Sequence, residues 1–141
     1  KIKGIPKTKF QTPIVVLIGG RTKEDILREK EFKDLGCQVH IATEDGSKGF
    51  RGRVTDLLKN ILRETKGDRR ETICSCGPKP MLAVISEISR QYGISAQVSL
   101  EEFMGCGMGA CLGCVIRTTS GYKRICHDGP VFDSTDVIWK E

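Results

Sequence analysis

The chain has no apolar run approaching the ~18 residues that a membrane-spanning helix needs. Its apolar stretches, such as Ile14-Val15-Val16-Leu17-Ile18, have the length of a buried strand. Aromatics make up only 6% of the residues, and no basic stripe is interleaved with them, which argues against a nucleic-acid surface. Prolines number five, too few for a low-complexity or disordered chain. There are two histidines, His40 inside a strand pattern and His127 beside a cysteine. Neither belongs to a Ser/His/Asp constellation, and no catalytic side chain is assigned. Charge of one sign is also lacking. The net charge of +5 is modest, and the basic residues alternate with acidic ones in Arg21-Thr22-Lys23-Glu24-Asp25 and Arg28-Glu29-Lys30-Glu31, the pattern of a solvated face.

A secretory leader is missing too: the sequence begins at Lys1 with no basic-apolar-small pattern, and it reads as a piece or processed product of a longer polypeptide. Seven cysteines without such a leader point to a reducing compartment, the cytoplasm, where clustered thiols hold metals more often than they form disulfides.

The cysteines and the 16 glycines are what the chain does have. Cys106, Cys111, Cys114 and Cys126 follow the spacing C-x4-C-x2-C-x11-C, with Gly105 just before them and Gly107, Gly109 and Gly113 between them. That is the plant-type spacing for four thiolates around a 2Fe-2S cluster. The glycines allow positive φ and a backbone close enough to aim N–H groups at sulfur. A structural zinc site in a non-catalytic interaction domain is the competing reading. Such sites usually pair two C-x2-C knuckles, and here only Cys111 and Cys114 form one.

Upstream, strands alternate with helices. Strands are expected at 14–18, 37–42, 71–75 and 96–100. After Gly19-Gly20 a helix is expected at once, opened by a Thr22/Asp25 capping box, burying Ile26, Leu27 and Leu35 and stopping at Gly36. Val54, Leu57, Leu58, Ile61 and Leu62 make one apolar helical stripe. A third helix runs from Pro80 through Leu82, Ile85 and Ile88 to Gly93. The alternation predicts an α/β fold with a parallel sheet and right-handed crossovers over 1–100. Residues 101–141 form a small cysteine-rich domain with a hairpin turning at Ser120-Gly121. Residues 1–13 read as a surface leader, Cys37 as a packing residue, and Cys74/Cys76 as C-x-C, the wrong spacing for a thioredoxin-like pair.

Ligands of open parallel sheets bind at the carboxyl ends of the strands. The candidates there are Gly20 and Arg21, then Glu44 and Asp45, then Cys76, Gly77, Pro78 and Met81. Glycine admits a nucleotide to the backbone, Arg21 meets a phosphate or stacks on adenine, and an acidic residue accepts from a ribose diol.

Cys76-Gly77-Pro78-Lys79-Pro80-Met81 resembles the C-G-P-x-P-M signature of the ferredoxin reductase-like flavoprotein superfamily. Ser99-Leu100-Glu101-Glu102-x-Met104-x-Cys106-Gly107-x-Gly109-Ala110-Cys111-x-x-Cys114, with Tyr122-Lys123-Arg124-x-Cys126-x-Asp128-Gly129-Pro130-Val131-Phe132, is similar to the electron-transfer subunits of NAD-dependent (class 1B) dihydroorotate dehydrogenases. The resemblance implies an oxidoreductase subunit of pyrimidine biosynthesis. Its partner would be the FMN-bearing catalytic subunit, and its cofactors a 2Fe-2S cluster with FAD and NAD in the full-length subunit. It also implies that Cys76 and Gly77 flank the nicotinamide, and that Glu44 and Asp45 favour NAD over NADP. The family's FAD-binding barrel, and the first strand and glycine turn of its nucleotide domain, have no counterpart here, which implies a C-terminal fragment. Related subunits of sulfhydrogenases and of ferredoxin:NAD(P) oxidoreductases share the pattern. For the latter an aspartate is expected where this chain has Cys106.

Overall fold

A computed structural model describes residues 14–65 and 71–139. The expected surface leader over 1–13 lies outside them. The chain divides into two compact units, 1–61 and 62–141.

In the first unit, β1 (Val15–Gly20) pairs in parallel with β2 (Gln38–Thr43), from Val15 opposite Gln38 to Gly20 opposite Thr43. A two-residue strand β3 (Phe50–Arg51) continues the sheet in parallel beyond Ala42 and Thr43. The even register places Gly20, Arg21, Glu44 and Asp45 at one sheet edge, where Gly20 O accepts from Glu44 N and Arg21 O from Asp45 N, both at 3.1 Å.

The segment after β1 departs from the expected continuous helix. The Thr22/Asp25 capping box forms, but on a single 3-10 turn, Lys23–Asp25. The chain then enters a six-residue helix α1 (Glu29–Asp34) through Arg28 at φ 63°. With the helix broken at 26–28, Leu27 and Leu35 are left 70% and 58% exposed, and only Ile26 is partly covered. The cause is local. The capping box closes one turn, and the charged run of α1 offers no apolar stripe to extend it.

The helix predicted from Val54 onward is α2 (Val54–Thr65), with Thr55, Leu57 and Leu62 buried. At its start, a Cβ on Gly19 would stand 2.8 Å from Val54 Cβ, so glycine there lets the helix approach β1 closely.

In the second unit, β4 (Thr72–Cys76) pairs in parallel with β5 (Ser95–Ser99). The crossover is α3 (Lys79–Tyr92), with Pro80 in its first turn and Gly93 at φ 66° ending it. A hairpin of β6 (Val115–Thr118) and β7 (Gly121–Arg124) follows, then a four-residue helix α4 (Ile125–Asp128). A short strand β8 (Val131–Asp133), absent from the sequence expectation, lies antiparallel to β5 with Phe132 opposite Val98. Leu82, Val98 and Leu100 share one core with Cys114, Ile116, Ile125 and Val137. Elements on both sides of residue 100 therefore stabilise one another. Three serines finish the packing: Ser86 Oγ donates to Ser134 O at 2.9 Å, Ser89 Oγ lies 3.4 Å from Ser134 Oγ, and Trp139 Nε1 donates to the same Ser134 carbonyl.

Candidate functional site

The loop between β5 and β6 is shaped by backbone that favours glycine: Gly107 and Gly109 adopt φ of 68° and 85°, and Leu112 joins them at 59°. The result is a ring of N–H groups turned toward sulfur. Ala110 N and Cys111 N donate to Cys106 Sγ at 3.3 and 3.4 Å, and Gly113 N to Cys111 Sγ at 3.4 Å. Cys126 N donates to Cys114 Sγ at 3.4 Å. Four amides aimed at sulfur stabilise thiolate over thiol.

The acidities follow. Cys106 is drawn down to about 6 by the backbone N–H of Cys111, then of Met108. Cys114 is lowered by the N–H of Cys126. Cys126 is raised by its hydrogen bond with the Cys114 sulfur, as befits a thiol donating to a thiolate. All seven cysteines are free thiols.

The backbone N–H of Cys111 on Cys106 Sγ and that of Cys126 on Cys114 Sγ join the four cysteines as two bonded pairs. Among the described residues, no three His, Cys, Asp or Glu side chains converge on a single metal position. A binuclear cluster takes four thiolates, two at each iron, and four cysteines are what this loop and hairpin supply. The donor set suits the binuclear group.

On the second bank of the loop, Arg124 and Asp128 form a fork. Arg124 N and Nε donate to Asp128 Oδ2 at 2.8 and 3.1 Å, and Arg124 Nη2 to Oδ1 at 3.3 Å. The guanidinium holds the Asp128 carboxyl well below the usual carboxylate range. His127 is exposed and bonds Asp128 Oδ1 at 2.9 Å, a surface neighbour of the cysteine loop.

At the edge of the first unit, the Asp45 carboxylate is committed internally. Ser47 N and Oγ donate to its Oδ1 at 2.9 and 2.7 Å, the side-chain bond first among the causes that lower its pKa. Ser47 Oγ also accepts Lys23 N at 2.8 Å, which laces the loops after β1 and β2 together. Glu44 is exposed. Arg21 is exposed, with its N–H fixed by Asp25 Oδ2 at 3.0 Å.

At the end of β4, Cys76 is exposed and Gly77 adopts φ 151°. A Cβ on Gly77 would stand 2.5 Å from Met81 Cε, and Met81 packs against the core of this unit. Cys76 Sγ lies 3.8 Å from Glu101 Oε1, and Lys79 pairs with Glu102. Sequence reading put Ser47 in the loop at the sheet edge without seeing its bond to Asp45, and gave no role to Glu101 or to the Arg124–Asp128 fork. The Asp45-x-Ser47 turn and the i, i+4 spacing of Arg124 and Asp128 are the signals that point to two of these.

Residues 3–87 match the model of the oxidoreductase NAD-binding domain, which spans more than half of the chain. The chain belongs to that family. As a member of it, the chain carries at residues 101–138 a second match, to the iron-sulfur cluster binding domain of dihydroorotate dehydrogenase B. Curated relatives include the dihydroorotate dehydrogenase B (NAD(+)) electron transfer subunits of Caldanaerobacter subterraneus subsp. tengcongensis, 42% identical over 94% of this chain and 52% of that protein, and of Bacillus caldolyticus, 40% identical over 93% and 49%. The chain thus spans about half the length of the curated relatives it matches. A solved structure of an NADH-dependent reduced ferredoxin-NADP oxidoreductase superposes with a TM-score of 0.77 at 31% identity, covering 90% of this chain and 45% of that one. Among the described residues no helix is long and apolar enough to cross a membrane.

Proposed function

We propose that this family member carries electrons between a dihydroorotate dehydrogenase catalytic subunit and NAD, as the nucleotide and cluster portion of an electron-transfer subunit of cytoplasmic pyrimidine biosynthesis. One observation carries the reading: four free cysteines have plant-type spacing, and the sulfurs of Cys106, Cys111 and Cys114 already receive backbone N–H groups. Cys106 and Cys111 would hold one iron of a 2Fe-2S cluster, Cys114 and Cys126 the other. When bound, the cluster supplies one-electron transfer, which lets a two-electron flavin on each side exchange with a carrier that touches both.

The chain's own residues bind and orient. Residues 1–100 serve the nucleotide and 101–141 the cluster. Gly20 leaves room for the dinucleotide, Arg21 offers a cation to its phosphates, and Glu44 accepts from the adenosine ribose; Asp45, already bonded to Ser47, shapes the loop. Cys76, Gly77 and Pro78 form the floor for the nicotinamide, Met81 propping Gly77 from the core side. FAD belongs to the longer subunit. The side chains of Phe103, Met104, Met108 and Leu112 stand exposed around the cysteine loop, Phe103 at 94%, and offer the catalytic subunit an apolar docking face.

The likeness to the ferredoxin-NADP oxidoreductase supports a second reading, with ferredoxin as electron donor. Cys106 favours the first. The test is to load the chain with iron and sulfide under anaerobic conditions and add catalytic subunit with dihydroorotate. Bleaching of the visible absorbance is expected. Bleaching by reduced ferredoxin alone, with none from dihydroorotate, would move the chain to the second reading.

A further inference from the structure

The peptide between Gly109 and Ala110 is held at both ends. Its carbonyl, Gly109 O, accepts from Arg124 Nη1 at 3.2 Å. Its amide, Ala110 N–H, donates to Cys106 Sγ at 3.3 Å. In a trans peptide these two groups point in opposite directions, so a donor that draws the carbonyl outward turns the N–H inward to the sulfur. Arg124 is itself immobilised, its other edge forked on Asp128 at 2.8 to 3.3 Å. The Asp128 carboxylate takes Nε and Nη2, which leaves Nη1 as the positive end of the pair toward the loop. Gly109 is buried at φ 85°, and a Cβ there would stand 3.2 Å from both Arg124 Nη1 and His127 Cβ. The loop is therefore pressed against the clamp with no slack.

We infer that Arg124 is a positioning residue for the cluster: by anchoring the Gly109 carbonyl it aims the Ala110 N–H at Cys106, and with its charge it raises the reduction potential of the centre. The inference rests on the cluster reading proposed above. Reduction adds one negative charge to a site already ringed by thiolates, so N–H donors and a nearby cation favour the reduced form. Asp128 acts one step further out, holding the guanidinium in place.

The test is a redox titration of the reconstituted 141-residue chain, following visible absorbance and the electron paramagnetic resonance of the reduced form. Arg124→Met is expected to lower the equilibrium constant for reduction about tenfold, a shift of ~59 mV to more negative potential for one electron. Arg124→Lys, which keeps the charge but not the fork, is expected to fall about threefold. A Met variant with full cluster content and a potential within about twofold of wild type overturns the inference while leaving the cluster reading intact. Should the Met variant take up no cluster, the Lys variant decides. Loading with an intermediate fall in potential supports the inference, whereas a wild-type potential, or failure of the Lys variant to load, overturns it. A wild-type chain that forms no cluster overturns the cluster reading, and the inference with it.

Discussion

The backbone N–H of Cys126 donates to the sulfur of Cys114 at 3.4 Å, across a hairpin of eleven intervening residues. The hairpin register makes this possible. Val115 stands opposite Arg124, so the residues flanking that pair, Cys114 and Ile125, meet, and Ile125 N bonds Cys114 O at 3.0 Å. Ile125 and Leu82 are fully buried in the same core cluster, which ties the geometry of the last two cysteines to the packing of α3.

From this follows a stability prediction. Ile125→Ala leaves a cavity at a site with 0% exposure and should cost about 2–5 kcal/mol, read as a lowered midpoint in urea unfolding. The same variant should lose iron to a chelator faster than wild type, because Cys114 and Cys126 lose the packing that keeps them adjacent. A cost under about 1 kcal/mol would show that the core does not support the cysteine pair.

The loop after β2 depends on a close backbone approach. A Cβ on Gly49 would stand 2.2 Å from Ile41 O, at φ 71°. Gly36 has a similar φ of 85° with nothing within 4 Å of an added Cβ. Gly36→Ala should therefore cost only the left-handed penalty of about 1 kcal/mol, and Gly49→Ala at least ~1 kcal/mol more from the steric conflict. Thermal unfolding of the two variants compares them directly. Equal losses would mean that the loop has room to relax.

Under the proposed function coenzyme choice falls to Glu44, because the neighbouring Asp45 carboxylate is occupied by Ser47. Replacing Glu44 by Arg removes the ribose acceptor and supplies a partner for a 2′-phosphate. The ratio of NADPH to NADH affinity, measured by fluorescence titration, should rise about tenfold, equivalent to ~1.4 kcal/mol. An unchanged ratio would remove Glu44 from the site.

How legible was this in the sequence? The cysteine spacing, the strand ends, the helix from Val54 and the hairpin could be read because each rests on local chemistry: ligand spacing, turn glycines or a helical stripe. The segment after β1 misled because Leu27 and Leu35 look like the buried face of one helix, while the Thr22/Asp25 box confines the turn to three residues. Strand β8 escaped because three residues carry too little alternation to register; its pairing with Gln97, Val98 and Ser99 defines it. The Arg124 clamp escaped for a different reason. Its meaning lies in a carbonyl of another loop, Gly109, which no pattern in the local sequence marks.

The most direct test of the cluster is iron and sulfide content after anaerobic reconstitution, measured with the visible spectrum in wild type, Cys111→Ser and Cys37→Ser. The account predicts a 2Fe-2S stoichiometry and a thiolate-to-iron absorbance band in wild type, the same in Cys37→Ser, and a bleached or unstable centre in Cys111→Ser. A colourless wild-type protein holding one zinc ion per chain, or an unaltered spectrum in Cys111→Ser, would contradict it.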